Sequence, residues 1–310
     1  MPQPSIISAS RRTDIPAFYM PWFLNRLRAG LVRYPNPISG KPITISLQPE
    51  DVHSIVFWSK HYGNFLKHFD DLAALGYPFM CHYTITGLPR QIEPYVPDWT
   101  QEVEIFRQLA AHTSPRHVQW RFDPLIFAAG LDAAYYLNRF REIAAALAGF
   151  TTRCYFSFAT LYGKVERRLQ QAAIPYTDPP LDEKRALISS LAAVAADQGI
   201  TLYACCQDHL IEGRVLKAHC IDGDLLAELF PERAQLFSAQ PSRAECGCVA
   251  SRDIGIYETC PYGCIYCYAN QSHALAVKNR TAHNPLDEEI VTSQKLPLAN
   301  PTDIQYNSST

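Results

Sequence analysis

Five of the ten cysteines in this 310-residue chain lie close together, between Cys246 and Cys267. An even spread would place about 0.7 cysteines in a window of that length, so the grouping calls for a chemical explanation. Three of them, Cys260, Cys264 and Cys267, have the spacing C-x3-C-x2-C, and Gly263 supplies the backbone freedom that so tight a wrap needs. Thiolates at this spacing bind one corner of a cuboidal 4Fe-4S cluster and leave the fourth iron without a ligand from the triplet. The triplet therefore predicts an iron–sulfur cluster with an open iron that binds and activates a small molecule.

Outside this triplet, four cysteines are candidates for a second metal site: Cys206, Cys220, Cys246 and Cys248. They are numerous enough for a second, fully ligated cluster with an electron-relay or structural role. Two alternatives stay open. The thiolates could bind zinc as a structural knuckle, or Cys246 or Cys248 could complete the first cluster and close it. Cys81, Cys154 and Cys205 are predicted to be buried small hydrophobic side chains, Cys205 because it lies on the strand face opposite Cys206.

The composition is typical of a globular enzyme, with 47% hydrophobic and 19% charged residues. No run approaches the 18 or so apolar residues of a membrane span. Arg11, Arg12 and Asp14 come before any apolar run long enough for a signal peptide, so we expect a cytoplasmic protein whose cysteines stay reduced. The formal net charge of −2 gives no overall attraction to nucleic acid or to an anionic membrane, although a local basic patch stays possible.

Strand and helix patterns alternate over about 200 residues, which predicts a parallel sheet. β-Branched and aromatic runs predict six strands: Ser5–Ser10, His53–Lys60, Phe79–Thr86, His117–Leu125, Arg153–Thr160 and Gly199–Cys206. Apolar residues at three- and four-residue spacing predict six helices: Phe18–Ala29, Phe65–Leu75, Trp99–His112, Ala133–Ala148, Val165–Ala172 and Asp182–Asp197. Asp98 is the expected N-cap of the third of these helices.

The fourth predicted strand has one polar face, which carries Gln119, Arg121 and Asp123. A strand buried between two helix layers is apolar on both faces, so this pattern favours a barrel interior over an open doubly wound sheet. We expect a partial (β/α)6 TIM-like barrel over residues 1–206, followed by a cysteine-rich segment over 207–283 that packs on the barrel mouth. Little pattern is visible over 207–245. The tail, 284–310, is expected to be an extended surface strap or disordered.

Chemistry in such barrels takes place at the carboxyl ends of the strands, where several charged and hydroxyl side chains fall. Arg121, Asp123 and Lys60 are the candidate catalytic groups. Arg11, Arg12, Asp14, Thr84 and Thr86 are candidates for binding a cofactor. The alternative for Arg121 with Asp123, and for the arginines near Asp14, is a structural ion pair at the barrel end.

Tyr266 turns the triplet into C-x3-C-x-aromatic-C, which resembles the signature of radical S-adenosylmethionine enzymes. The resemblance implies that S-adenosylmethionine binds the open iron, beside Tyr266, through its amino and carboxylate groups. Its reductive cleavage would give a 5′-deoxyadenosyl radical, with electrons from a donor such as ferredoxin or flavodoxin. In those enzymes the triplet follows the first strand. Here it follows the sixth unit, so we expect the C-terminal segment to run back across the barrel mouth.

Longer stretches resemble an uncharacterised bacterial family, domain-of-unknown-function family 1848. They are SASRRTDIPAF, IVFWSK, TITG, WRFDP, CIDG and CGCVASRDIGIYETCPYGCIYCYA. This resemblance covers nearly the whole chain and implies no established activity. The sequence thus predicts a radical S-adenosylmethionine-like enzyme with an unknown substrate. The alternatives are a non-radical iron–sulfur redox protein, and a zinc-stapled barrel that binds nucleic acid or a protein partner.

Overall fold

The computed structural model describes residues 3–36 and 39–291, which form ten strands and ten α-helices. The strands are β1 (Ser5–Ala9), β2 (Leu31–Pro35), β3 (Pro42–Ser46), β4 (Val52–Ser59), β5 (Phe79–Thr84), β6 (Val118–Arg121), β7 (Arg153–Phe156), β8 (Thr201–Ala204), β9 (Val215–Lys217) and β10 (Arg252–Asp253). The helices are α1 (Ile15–Phe18), α2 (Met20–Ala29), α3 (Gly63–Lys67), α4 (Phe69–Ala74), α5 (Trp99–His112), α6 (Ala133–Leu147), α7 (Gly163–Gln171), α8 (Leu181–Asp197), α9 (Gly223–Leu229) and α10 (His273–Thr281).

Eight of these strands form one sheet in the order β10-β1-β4-β5-β6-β7-β8-β9, and every neighbouring pair is parallel. The six predicted strands correspond to β1 and β4 to β8, so the parallel α/β class is confirmed. Strands β2 and β3 form a separate antiparallel pair. Within the described residues no ladder joins β9 to β10, so the sheet has two edges and is not a closed barrel.

The sequence prediction is wrong in three places. The predicted helix Phe18–Ala29 corresponds to α2, but the short helix α1 before it was missed, and the predicted helix Phe65–Leu75 is divided into α3 and α4. The region 207–245, expected to have little pattern, contains β9 and α9. The hairpin of β2 and β3 and the strand β10 were also missed; β9 and β10 have three and two residues, too few to show a period-two pattern.

The two faces of the sheet are covered by different parts of the chain. Residues that alternate along a strand point to opposite faces. On β5, Cys81 and Tyr83 enter the large core that includes the helices, whereas Met80 belongs to a second, smaller core. That smaller core contains Ala218, Leu226 and other residues of the region after β9. Helices α1 to α8 therefore pack on one face of the sheet, and the region after β9, with helix α9, closes the other.

The described part of the predicted tail, 284–291, packs against α2. The Trp22 indole N–H donates to the carbonyl of Asp287 at 3.0 Å, and Asn25 donates to the carbonyl of Pro285 at 3.0 Å. The rest of the predicted tail, 292–310, lies outside the described residues. In the part of the chain that is described, no helix has the length and apolar character that a membrane crossing requires.

Candidate functional site

A cavity of about 290 Å³ lies at the carboxyl ends of the parallel strands. Its volume is close to the lower limit of about 300 Å³ for sites that bind drug-sized ligands. The predicted site residues in its wall are Arg11, Arg12, Asp14, Lys60, Thr84, Arg121, Asp123, Cys206, Cys220, Cys246, Cys248, Cys260, Tyr266 and Cys267. Two predicted residues are not in that wall: Cys264 lies near Lys60, and the Thr86 hydroxyl donates to Glu93.

Strand β10 brings the C-terminal segment back to the first strand, with which it pairs in parallel. Asp253 in β10 accepts hydrogen bonds from the hydroxyls of Ser8 and Ser10, both at 2.8 Å, and forms an ion pair with Arg12 at 3.1 Å. Burial is the largest effect and raises the pKa of Asp253, but the charges of Arg12 and Arg11 and the hydrogen bonds to the carboxylate together hold that pKa below its ordinary value. A Cβ on Gly255 would lie 1.8 Å from the Ser10 hydroxyl oxygen, so only glycine fits this junction.

Arg12 and Asp14 have different partners at this end of the sheet. Arg12 is 7% exposed and its guanidinium is paired with Asp253, the structural ion pair that was the alternative to cofactor binding. Asp14 forms no ion pair with an arginine among the described residues. It caps α1 and accepts hydrogen bonds from the Ser59 hydroxyl at 2.6 Å and the Lys60 backbone N–H at 3.1 Å. Burial raises the pKa of Asp14 to about 6.

The loop that carries the cysteine triplet (Cys260, Cys264 and Cys267) is fixed by helix α7. Arg168 donates to the carbonyl oxygens of Ile265 at 3.1 Å and Cys267 at 2.7 Å, and also to that of Asn270. Gly263 has φ +67°, the left-handed conformation that the spacing predicted. One guanidinium therefore satisfies three carbonyl groups of a loop that has no helix or strand of its own.

Tyr266 is held by a buried acidic residue that the sequence analysis missed. Its hydroxyl donates to Glu93, which is 3% exposed. Glu93 also accepts from the Lys60 ammonium at 2.8 Å and from the Thr86 hydroxyl at 3.0 Å. Burial lowers the pKa of Lys60, but the charges of Glu93 and Cys264 outweigh it and raise that pKa. Lys60 thus stays charged beside the triplet. Glu93 lies in an irregular loop, where local sequence gave no signal for it.

Arg121 and Asp123 form the ion pair that was the alternative to a catalytic role. The Ser157 hydroxyl also donates to Asp123. The Nη1 atom of Arg121 donates to the sulfur of Cys220 at 3.3 Å. The guanidinium carbon lies over the Trp58 ring, 5.4 Å from its centroid. Arg121 therefore joins the strand ends to the cysteines in the opposite wall of the cavity.

Five thiols form a second group in the wall of the same cavity. The Cys205 sulfur lies 3.3 Å from that of Cys220 and 3.9 Å from that of Cys206. Cys246 and Cys248 line the same part of the cavity, where the Cys246 sulfur accepts from the Ser242 hydroxyl at 3.4 Å and the Cys248 sulfur accepts from the Ile221 backbone N–H at 3.4 Å. We call Cys205, Cys206, Cys220, Cys246 and Cys248 the five-cysteine group.

Cys205 is buried in the smaller core, as predicted, and also belongs to this group. Cys206 has φ +53°, a left-handed conformation that stops the alternation of faces after β8 ends at Ala204. The two neighbouring side chains therefore turn toward the same cavity. Cys81 and Cys154 are buried as predicted, and all ten cysteines are unpaired thiols.

Neither cysteine group converges on one point. Across residues 3–36 and 39–291, no group of three or more His, Cys, Asp or Glu side chains is arranged to hold a single metal ion. A cluster of several iron atoms has no need of such convergence, because each thiolate binds a different iron. The donor chemistry, thiols only, fits an iron–sulfur cluster at either group.

Parallel strands with helices on one face, and a cavity lined by two thiol groups at the strand ends, define an α/β protein with a cysteine-rich site. A family model described as Domain of unknown function (DUF1848) matches residues 6–269, and the chain belongs to this family. No curated protein and no solved structure matched the chain.

Proposed function

We propose that the chain is an iron–sulfur enzyme of the radical S-adenosylmethionine type. The cysteine triplet would bind a 4Fe-4S cluster with one open iron, and S-adenosylmethionine would bind at that iron. The observation that carries the proposal is the position of the triplet: a loop fixed by Arg168 presents Cys260 and Cys267 to a cavity lined by polar strand ends. When bound, the cluster would supply the electron that cleaves the sulfonium of S-adenosylmethionine.

The protein's own residues would bind and orient the cofactor and exclude water. Tyr266, anchored by Glu93, lies between two triplet cysteines in sequence and forms part of the cavity wall. Lys60 places a positive charge beside Cys264, which favours an anionic thiolate-bound cluster there. Trp58 and Phe158 contribute apolar surface to the same wall, and the Arg121–Asp123 pair contributes polar groups.

We further propose that the sheet curves into a partial barrel, with the cysteine-rich region across its mouth. The support is that residues following β1, β4, β6, β7 and β8 all line one cavity. A flat sheet of this width would spread those strand ends too far apart, since neighbouring strands lie about 4.8 Å apart. Reduced thiols also support a cytoplasmic location and an electron donor such as ferredoxin or flavodoxin.

The test is electron paramagnetic resonance on protein that is purified without oxygen and reduced with dithionite, with and without S-adenosylmethionine. We expect a reduced-cluster signal that shifts when S-adenosylmethionine is added, and 5′-deoxyadenosine as a product. Cys264→Ala should lose the shifting signal, whereas Cys81→Ala, which removes a buried thiol beside Tyr62, should keep it. A signal that ignores S-adenosylmethionine would leave an iron–sulfur protein of another kind. Protein that contains zinc and no iron would instead indicate that the triplet binds zinc as a structural site.

Tyr266→Ala separates cluster binding from cofactor binding. Tyr266 has no thiol to bind iron, so its loss should leave the iron content unchanged. Because its side chain lines the cavity, the same change should weaken the affinity for S-adenosylmethionine. Equal affinity in the variant and the wild type would contradict the role given to Tyr266.

A further inference from the structure

Three separate stretches of the chain bring the five-cysteine group together. Cys205 and Cys206 follow β8, Cys220 follows β9, and Cys246 and Cys248 precede β10. The Cys205 sulfur contacts those of Cys206 and Cys220, at 3.9 and 3.3 Å. All five residues line the cavity that the triplet also lines. Packing needs alone do not explain this arrangement, because Cys206 and Cys246 are only partly buried.

Three arginines surround these thiols with positive charge. Arg121 donates to the Cys220 sulfur at 3.3 Å, and Arg243 donates to the Cys205 sulfur at 3.7 Å. Arg11 lies near Cys248, and its buried Nη2 has no hydrogen-bond partner among the described residues. Guanidinium groups at this range stabilise an anionic, thiolate-bound ligand in a site of low polarity.

The arrangement distinguishes among the chemistries that use thiols. A disulfide would engage two of the five sulfurs and would leave the arginines without an anion. A structural zinc site needs four sulfurs about 2.3 Å from one point, and the described residues offer no such convergence. A polynuclear cluster engages each thiolate at a different metal atom, so it does not require sulfurs that converge on one point.

We propose that the five-cysteine group binds a second iron–sulfur cluster. Five thiols exceed the four that a cuboidal cluster requires, so the protein ligates this cluster completely. Unlike the cluster proposed at the triplet, it has no open iron and does not bind S-adenosylmethionine. This inference goes beyond the proposed function and holds whether or not the triplet site binds S-adenosylmethionine.

The experiment compares two matched triple variants of the full chain, purified without oxygen and reconstituted with iron and sulfide. One variant replaces Cys260, Cys264 and Cys267 with Ala. The other replaces Cys206, Cys246 and Cys248 with Ala and leaves two thiols of the five. Iron, sulfide and zinc are measured per chain. A double Cys81→Ala, Cys154→Ala variant removes two buried thiols outside both groups and serves as the control.

The wild type and the control should each hold about eight iron atoms, and each triple variant about four, because each retains one cluster. The cluster left in the triplet variant should give a paramagnetic signal that S-adenosylmethionine does not change. The proposal would be overturned if the triplet variant held no iron or held zinc in place of iron. It would also be overturned if the remaining signal of this variant shifted with S-adenosylmethionine.

The Cys206, Cys246, Cys248 variant keeps only the triplet. If its signal does not respond to S-adenosylmethionine, the proposed function is contradicted, but the second cluster is not. Should the Cys206, Cys246, Cys248 variant fail to fold, the triplet variant alone still tests the proposal. In that background Arg243→Gln should lower the reduction potential of the remaining cluster, since it removes a positive charge that favours the reduced state. An unchanged potential would show that the remaining cluster lies elsewhere.

Discussion

Glu93 accepts hydrogen bonds from Lys60, Thr86 and Tyr266, and its carboxylate is shielded from solvent. Lys60 is 13% exposed and Glu93 3% exposed in their side chains. Lys60→Met would leave the carboxylate buried without its cation, and breaking such a pair typically costs about 3–5 kcal/mol. The remaining hydrogen bonds from Thr86 and Tyr266 put the expected loss near the lower end, about 3 kcal/mol. Urea denaturation of metal-free protein measures it.

Lys67→Met is the matched control for this change, because Lys67 is exposed on α3 and should cost less than about 0.5 kcal/mol. The double variant Lys60→Met, Glu93→Gln should recover part of the lost free energy of unfolding, since it also removes the unpaired charge of the Glu93 carboxylate. A loss for Lys60→Met no greater than that for Lys67→Met would show that the pair contributes nothing.

His61 gives the protein a stability that depends on pH. Its Nδ1 lies 2.9 Å from Glu102, whose side chain is 2% exposed. The hydrogen bond to Glu102 raises the pKa of His61 above 6.5 and outweighs burial, which lowers it; Asp14 and Lys67 also act on the ring, with opposite signs. Because the folded state binds the proton more tightly, the contribution is complete below the unfolded pKa. It is lost as pH rises through the folded pKa.

Relative to His61→Gln, the wild type should therefore be about 1 kcal/mol more stable at about pH 5.5, and this advantage should shrink by about pH 8.5. The exposed His112, changed to Gln, is the control and should show no such difference between the two pH values. Urea denaturation at both values gives the comparison. An advantage of the wild type that grew with pH would have the wrong sign and would refute the assignment.

Residue types and spacing predicted the cysteine triplet because its members are neighbours in sequence, within one loop. Strand alternation places Cys205 and Cys206 on opposite faces, but a left-handed φ at Cys206 overrides it and both residues line one cavity. Local sequence also gives no signal for the partner of Arg12, because Asp253 lies 241 positions away. Roles fixed by partners that are distant in sequence leave no local pattern.

At the scale of elements, helix α7 determines the position of the triplet through a single side chain. Arg168→Met removes three hydrogen bonds to carbonyls of the loop. Hydrogen bonds to charged groups contribute about 1.5–3 kcal/mol each, so local opening of the loop should become at least about tenfold more frequent. The rate of alkylation of Cys264 and Cys267 in metal-free protein, followed by mass spectrometry, reports that opening.

Arg167 occupies the neighbouring, exposed position on the same helix, so Arg167→Met is the matched control with nearly the same helix propensity. It should leave both alkylation rates unchanged. Equal acceleration by the two substitutions would mean that α7 as a whole, and not the Arg168 guanidinium, holds the loop.

Elements with strong periodicity were predicted most closely. Helix α5 begins at Trp99 and ends at His112 as predicted, and Asp98 caps it by accepting the Thr100 N–H. Its amphipathic pattern and its N-cap residue both predict a helix that begins at Trp99. Strand β10 has two residues and exists because Asp253 bonds to β1, so its stability comes from tertiary contacts that sequence periodicity does not encode.

At the scale of the whole molecule, the triplet loop connects parts of the chain that are far apart in sequence. Tyr268 donates to the carbonyl of Arg11 after β1, and Ile265 donates through its N–H to Ile92 at 3.0 Å. With Arg168, these contacts tie the loop to three different regions. A ligand that binds this loop only in the folded state therefore stabilises the whole chain and not the loop alone.

Protein reconstituted with iron and sulfide should accordingly melt at least about 5 °C above the metal-free protein, since saturating binding adds about 3 kcal/mol or more to a chain of this size. The Cys260, Cys264, Cys267→Ala variant should keep only the part of the rise that the five-cysteine group supplies, whereas Cys81→Ala should keep all of it. Calorimetry without oxygen measures the three differences. An undiminished rise in the triplet variant would mean that the loop binds no cluster, because a ligand stabilises the fold only through the residues it binds.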